Sequence, residues 1–351
     1  MIQSPAHARL ALPTGTRSVQ LRDTARIVGM SRTLAAGFDA WGYEPTELPM
    51  VDYFDVYRRL MTDAHARRTY RAFDRSGDLL LLRSDCTLFV AKQLSLHVKR
   101  SDLPVRVRYD AQIVRSEARH DIATNEYHQA GVELVGGSGA EADAEVLIVL
   151  ADALQRVGLP NTAIHLGSRR LALAIATHAA IIDTEAFLDA VAARRDLTAL
   201  GLDPTLAATL RFIGHEDELN AKLLAMPAAL HAAIEELAQI AALARPHCGP
   251  VEIRVDLSEV GGHDYYSGAA FSAYHPDSGS AVARGGRYDD LLAAFGMDAP
   301  SVGFSIFTRK LPVPNDESID PGRVLDRTVP FHERVASAMQ QHTQGTRVRL
   351  S

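Results

Sequence analysis

Hydrophobic positions recur every three or four residues in the first part of the chain, which predicts an amphipathic helix over residues 23–41. Its apolar face consists of Ile27, Met30, Leu34, Phe38 and Trp41. Residues 139–158 repeat this spacing after an acidic start and predict a second helix. Residues 168–247 are rich in Ala and Leu and poor in strand-forming residues, which indicates an all-helical block.

Short apolar or alternating runs between turn residues predict strands in the rest of the chain. Residues 70–74 and 79–83 flank a short Gly-containing turn and predict an antiparallel hairpin. A second strand pair is predicted at residues 105–117 and 127–135. Strands return over residues 251–274, and residues 284–287 (Arg-Gly-Gly-Arg) predict a turn.

The order of these elements predicts an α+β fold in which a helical block is inserted into a sheet domain. We expect residues 1–320 to form this core, with residues 168–250 as the inserted helical subdomain. Residues 321–351 are expected to form a short tail that contains one helix and a short strand and has no room for a further domain.

Composition narrows the class of protein only a little further. The 351 residues include 37 Lys and Arg against 43 Asp and Glu, a formal net charge of −6, which does not favour a broad polyanion-binding surface. Two cysteines, Cys86 and Cys248, are too few for a disulfide framework or a four-thiolate zinc site. No apolar run reaches the roughly 18 residues of a membrane span, so we expect a soluble, cytoplasmic protein without a bound metal.

Polar side chains on the predicted strands suggest a binding site for a small zwitterion. Tyr127, Gln129, Gly131 and Glu133 alternate along one strand and share a face, where the glycine leaves a gap between polar groups. The same alternation also fits a solvated sheet face. Asp85 and Thr87 likewise share a face, although an aspartate in this position also fits a loop cap, and the pair Tyr265 and Tyr266 also fits ordinary core packing.

The order of the motifs resembles the class II aminoacyl-tRNA synthetases, and histidyl-tRNA synthetase in particular, over residues 12–311. The segments that carry the resemblance are LPTGTR at 12–17, LLRSDCT at 81–87, IVRSE at 113–117, YHQAGVE at 127–133, DYYSG at 264–268, GGRYDDL at 285–291 and SVGFSI at 301–306. The resemblance implies an antiparallel sheet flanked by helices that binds an amino acid and ATP side by side.

The amino-acid half of this site is complete in the sequence. Asp85 stands where the family has a glutamate, and the other positions that the resemblance assigns to histidine recognition are retained. The expected histidine-binding residues are Asp85, Thr87, Arg115, Gln129, Glu133, Tyr265 and Tyr266.

The nucleotide half departs from the family, whose positive charges stabilise the developing charge of adenylate formation. Ala123 and Asn125 occupy places where the family's loop carries arginines. The family's Arg-Gly-Leu-Asp-Tyr-Tyr reads Gly-Gly-His-Asp-Tyr-Tyr at residues 261–266, so Gly261 replaces an arginine. Either Arg309 or Lys310 remains as a candidate for the arginine of the third motif. We therefore expect no catalytic residues and no cofactor.

This combination resembles the regulatory subunits of ATP phosphoribosyltransferase. The resemblance implies a non-catalytic chain that activates the short-form catalytic subunit at the first step of histidine biosynthesis and mediates feedback by histidine. It also implies a homodimer within a hetero-octamer. We expect no binding of tRNA, because the short tail at residues 321–351 is not expected to hold the family's anticodon-binding domain.

Two other functions remain open at this stage. The first is a truncated histidyl-tRNA synthetase-like enzyme that adenylates an amino acid, which Arg115, Glu117 and Arg287 would support. The second is an RNA-binding module in translational control, which would need a basic stretch interleaved with aromatic residues that the sequence does not provide.

Overall fold

A computed structural model describes residues 12, 15–16, 21–116, 125–223, 226–312, 323–326, 328–344, 346 and 348–350. Its contacts divide the chain into a large unit built around Ile27–Pro312 and a small unit that holds Val19–Arg26 and Val313–Ser351. No helix in the described ranges is both long enough and apolar enough to cross a membrane.

In chain order, the helices are α1 (Leu21–Ala40), α2 (Phe54–Arg58), α3 (Asp63–Arg67), α4 (Cys86–His97), α5 (Gly139–Arg156), α6 (Arg169–His178), α7 (Thr184–Ala192), α8 (Pro204–Thr209), α9 (Glu216–Leu223), α10 (His231–Ala244) and α11 (Phe331–Thr343). Short 3-10 helices lie at Arg100–Asp102, Thr198–Leu200, Ala228–Leu230, Arg245–His247, Leu292–Phe295 and Thr308–Lys310.

The strands are β1 (Glu44–Pro45), β2 (Val51–Tyr53), β3 (Arg71–Phe73), β4 (Leu79–Leu82), β5 (Val105–Val114), β6 (Glu126–Val135), β7 (Ala163–Ser168), β8 (Ile213–Gly214), β9 (Glu252–Asp256), β10 (Ala269–Tyr274), β11 (Ala283–Arg287), β12 (Ser301–Phe307), β13 (Arg323–Leu325) and β14 (Val348–Leu350).

Among the described residues, nine strands of the large unit form one sheet in the order β1-β5-β6-β12-β11-β10-β7-β9-β8. All neighbours are antiparallel except β1 with β5 and β7 with β9. A second sheet, β2-β4-β3, contains the predicted hairpin, which is confirmed. In the small unit, β13 pairs with β14 in parallel.

Helix α5 supplies much of the core beneath the large sheet, as its apolar spacing predicts. Val146, Leu147, Leu150 and Leu154 are fully buried and belong to one cluster with residues of α10 and β12. Burying a side chain of this size contributes about 1.5–3 kcal/mol. The predicted helices at 23–41 and 139–158 are thus confirmed as α1 and α5.

The structure corrects three details of the predicted elements. The Arg-Gly-Gly-Arg segment is not a turn but strand β11, paired on both sides. A side chain at Gly285 would meet the Phe271 ring at 2.4 Å, so the glycine permits close packing here rather than chain reversal. Tyr265 and Tyr266 lie in a turn before β10 rather than in a strand. The helical block contains one short strand, β8, which pairs with β9.

Candidate functional site

The seven residues expected to bind histidine come together beside strand β6 of the large sheet, although they lie on separate elements. Gln129 and Glu133 belong to β6, and Arg115 directly follows β5. The other four are Asp85 and Thr87 at the start of α4 and Tyr265 and Tyr266 in the turn before β10. Asp85, Thr87, Gln129, Tyr265 and Tyr266 line one small cavity.

Asp85 is confirmed as a helix cap and also lines the small cavity, where its role in binding stays a prediction. Its Oδ1 accepts a hydrogen bond of 3.1 Å from the Leu88 N–H, which caps α4. Its Oδ2 lies 3.1 Å from the Arg115 guanidinium. Burial alone would raise the pKa of Asp85, but the nearby His263 ring, Arg115 and the Leu88 amide lower it below its ordinary value.

Glu133 is completely buried and accepts hydrogen bonds from three hydroxyl groups. Thr87 donates at 2.7 Å and Tyr109 at 3.2 Å to Oε1, while Tyr288 donates to Oε2. Burial raises the pKa of Glu133 to about 8, despite the bonds that favour the charged form. The carboxyl group is therefore mostly protonated at neutral pH.

Tyr109 and Tyr288 are site residues that the sequence did not identify. Tyr109 faces Gly131 across the β5–β6 pair, and a Cβ atom at Gly131 would lie 2.5 Å from its hydroxyl oxygen. The gap that the glycine leaves on β6 is thus filled by this hydroxyl. Only the strand register, which the sequence did not reveal, would have pointed to Tyr109.

The raised pKa of Glu133 leads to a testable dependence of stability on pH. The folded protein holds a proton on Glu133 up to about pH 8, whereas the ordinary pKa of the residue is 4.5. This stabilisation is complete below the ordinary pKa and is lost as the pH rises through the folded value, with a slope of about 1.4 kcal/mol per pH unit between the two.

We expect Glu133→Gln, which is neutral at every pH, to gain stability relative to the wild type as the pH increases from about 5 to about 8. Urea unfolding of both proteins across this range measures the difference in their free energies of unfolding. A difference that stays constant with pH would contradict the raised pKa.

Two buried polar atoms of the site have no hydrogen-bond partner among the described residues. One is Oε1 of Gln129, which is 2% exposed and lines the small cavity, and the other is Nδ1 of His263. A buried acceptor without a partner costs about 1–3 kcal/mol. A ligand that donates a hydrogen bond to Gln129 would recover this energy.

His263 is the third residue that the sequence did not assign to the site. Its ring stacks on Tyr265 with centroids 4.9 Å apart, and Nε2 lies 3.6 Å from Oδ2 of Asp85. Burial lowers the pKa of His263 to about 3, so the imidazole is neutral at physiological pH.

The arginines on the nucleotide side are engaged by partners of the protein itself. Arg115 donates to Asp85 and to the Ser84 carbonyl. Arg287 forms a buried ion pair with Asp143 at 2.7 Å, and Arg309 lies 3.4 Å from Glu126. Arg287 and Arg309 therefore do not present unpaired charge to a phosphate group.

Of the two loop positions that depart from the family, Ala123 and Asn125, the structure describes only Asn125. The Asn125 amide donates to the Tyr70 hydroxyl at 2.8 Å. Ala123 lies outside the described residues, as does Glu117.

A cavity of about 510 Å³ lies beside Arg115. Its charged lining residues are Arg67, Arg68, Arg115 and Arg169 together with Asp63, Glu185, Asp189 and Asp264. Its positive and negative side chains balance in number.

Comparisons with known proteins agree with this architecture. The family model described as histidyl-tRNA synthetase matches residues 15–311. A solved structure from Bacillus halodurans C, titled as an ATP phosphoribosyltransferase regulatory subunit/histidyl-tRNA synthetase, superposes with a TM-score of 0.80 at 22% identity, covering 97% of this chain and 92% of that one. The fold is that of the class II aminoacyl-tRNA synthetases, as predicted.

Two curated relatives carry the name ATP phosphoribosyltransferase regulatory subunit. The protein from Anaeromyxobacter dehalogenans is 34% identical over 314 residues, with 85% of this chain and 89% of the relative covered. The protein from Burkholderia multivorans is 32% identical over 367 residues, with 92% and 93% covered. The chain belongs to the family of ATP phosphoribosyltransferase regulatory subunits, and it is a regulatory rather than a catalytic subunit.

Proposed function

We propose that this chain activates a short-form catalytic ATP phosphoribosyltransferase subunit at the first step of histidine biosynthesis, and that it transmits feedback inhibition by histidine. The observation that carries the histidine part of the proposal is the buried polar cluster around Glu133, with the Gln129 acceptor beside it, which has no partner among the residues described. A buried polar cluster is costly to maintain unless its groups are satisfied.

Each part of a histidine molecule has a chemically suitable partner in this cluster. The Asp85 carboxylate and the Gln129 Oε1 atom are acceptors for the α-ammonium group, and Arg115 is a cation for the α-carboxylate. Glu133 is the hydrogen-bonding partner for an imidazole nitrogen, near the rings of Tyr265 and Tyr266. Hydrogen bonds to the charged Asp85 and Arg115 side chains contribute about 1.5–3 kcal/mol each.

Feedback further requires that histidine bind one state of the complex more tightly than another. Coupling of this kind amounts to about 1–3 kcal/mol, which corresponds to about 5- to 150-fold in affinity. We place the chain in the cytoplasm as a homodimer that joins catalytic subunits in a hetero-octamer. Neither tRNA nor a cofactor takes part.

The division of the chain is part of the same proposal. Residues 1–320 act as the synthetase-like core, residues 168–250 as its inserted helical subdomain, and residues 321–351 as a short tail. The separate clustering of Val313–Ser351 supports a boundary near this position.

The experiment that tests the proposal uses a short-form catalytic subunit from the same genome. We expect the two chains to co-purify and the catalytic rate to rise when this chain is present. Added histidine should then reduce the rate of the complex. An unchanged rate in the presence of this chain would contradict the proposal, as would exchange of pyrophosphate into ATP by the isolated chain with histidine.

A further inference from the structure

The side chain of His263 lies where the proposed function places a free histidine. Its ring lines the same small cavity as Asp85, Thr87 and Gln129. It stacks on Tyr265, meets Tyr266 edge-on with centroids 5.8 Å apart, and approaches Asp85 at 3.6 Å. These are the aromatic and acidic groups assigned above to the ligand.

The cavity that remains beside this ring is too small for an amino acid. Its volume is about 10 Å³, which is about the space that one water molecule needs. A histidine side chain is many times larger, so free histidine cannot enter the site while the His263 ring occupies this position.

The ring is held in place by contacts that are weak enough to break. Nδ1 has no hydrogen-bond partner in the part of the chain that the structure describes, and Nε2 is beyond hydrogen-bonding distance of Asp85. The ring's aromatic contacts with Tyr265, Tyr266 and His65 are ring contacts without a hydrogen bond. The neutral imidazole also leaves the Asp85 carboxylate with a weaker partner than an ammonium group would provide.

The backbone before the ring and the space beside it allow the side chain to leave. Gly261 has a φ of +77°, a conformation that L side chains rarely adopt, and Gly262 follows it directly. The 510 Å³ cavity is lined by residues 261–264 together with His65 and Arg169. It adjoins the site and has room for an imidazole ring.

We propose that His263 is an internal competitor for the ligand site, so that free histidine binds only in the state in which the His263 ring has moved out. This inference rests on the proposed function, because it concerns the same site and the same ligand. The family motif has leucine at this position, which offers no imidazole. The ring would therefore set the concentration of histidine at which the protein responds.

The inference predicts tighter ligand binding when the ring is removed. The measured dissociation constant equals the intrinsic constant divided by the fraction of molecules in the open state. If the ring occupies the site in about nine molecules of ten, His263→Ala should bind histidine about tenfold more tightly than the wild type. Titration calorimetry with histidine measures the change, and His263→Leu provides a second variant with a larger side chain.

Imidazole alone is a probe of the cavity whose binding does not depend on whether histidine is the feedback inhibitor. We expect imidazole to bind His263→Ala at least about tenfold more tightly than it binds the wild type, because it fills the space that the ring has left. The control is His97→Ala, which removes an exposed histidine at the end of α4 and should bind both ligands as the wild type does.

The two ligands separate failure of this inference from failure of the proposed function. Histidine and imidazole affinities that are unchanged or weaker in His263→Ala and His263→Leu would overturn the internal competitor. Imidazole binding to His263→Ala without histidine binding to any variant would support the competitor, while it would move the effector site elsewhere and overturn the feedback part of the proposed function.

Discussion

Replacement of Arg287 by methionine is expected to lower the free energy of unfolding by about 3–5 kcal/mol, because it leaves a buried carboxylate without its cation. The Arg287 and Asp143 side chains are 3% and 1% exposed and lie 2.7 Å apart. Even with Arg287 present, burial raises the pKa of Asp143 to about 6. The ion pair joins strand β11 to helix α5, so its loss weakens the packing of helix on sheet.

Urea unfolding at neutral pH measures this effect, with Arg254→Met as the matched control. Arg254 pairs with Glu252 at 2.7 Å, but both side chains are about half exposed, and such surface pairs contribute at most about 1 kcal/mol. The double variant Asp143→Leu with Arg287→Met should recover much of the stability, since no unpaired charge remains. A loss below about 1 kcal/mol for Arg287→Met would contradict a structural role of this pair.

The contacts of Arg287 also bear on the alternative function, that of an adenylating enzyme. From the sequence, Arg287 is a candidate for a cation that an adenylating active site would need. In the structure it contacts Asp143, Asp289 and the backbone carbonyls of Gly137 and Gly139. An arginine so completely engaged serves the fold rather than a nucleotide.

Sequence patterns predicted the elements well wherever one face of an element is buried. The spacing of Val146, Leu147, Leu150 and Leu154 predicted α5 because the 3.6-residue period directly reflects which side faces the core. The Gly285 segment was predicted wrongly because glycine is common in turns and also in strands that pack closely. Propensity alone does not distinguish these two uses.

The candidate site likewise contains residues that the sequence predicted and residues that it missed. The order of the motifs was sufficient to predict that the seven expected histidine-binding residues lie close together. Tyr109 was missed because its role depends on the register between two strands, and Tyr288 because its partner is distant in the chain. His263 was overlooked because only the fold shows that its ring turns into the cavity between Asp85 and Tyr265.

Glu133→Ala is expected to weaken histidine binding by more than about tenfold, because a buried imidazole nitrogen left without its hydrogen-bonding partner costs about 1–3 kcal/mol. The change also leaves the hydroxyls of Thr87, Tyr109 and Tyr288 without their common acceptor. Glu133→Gln keeps the shape and one acceptor oxygen, so its loss of affinity should be smaller. Circular dichroism establishes that each variant is folded before calorimetry.

The most direct test of the account follows the catalytic rate of the reconstituted complex as histidine is added. The concentration of histidine that halves the rate is compared among the wild type, Glu133→Ala and Glu235→Ala, which removes an exposed carboxylate on α10. We expect Glu133→Ala to need more than about ten times as much histidine as the other two proteins. An equal half-inhibiting concentration for all three would contradict the assignment of histidine sensing to this pocket.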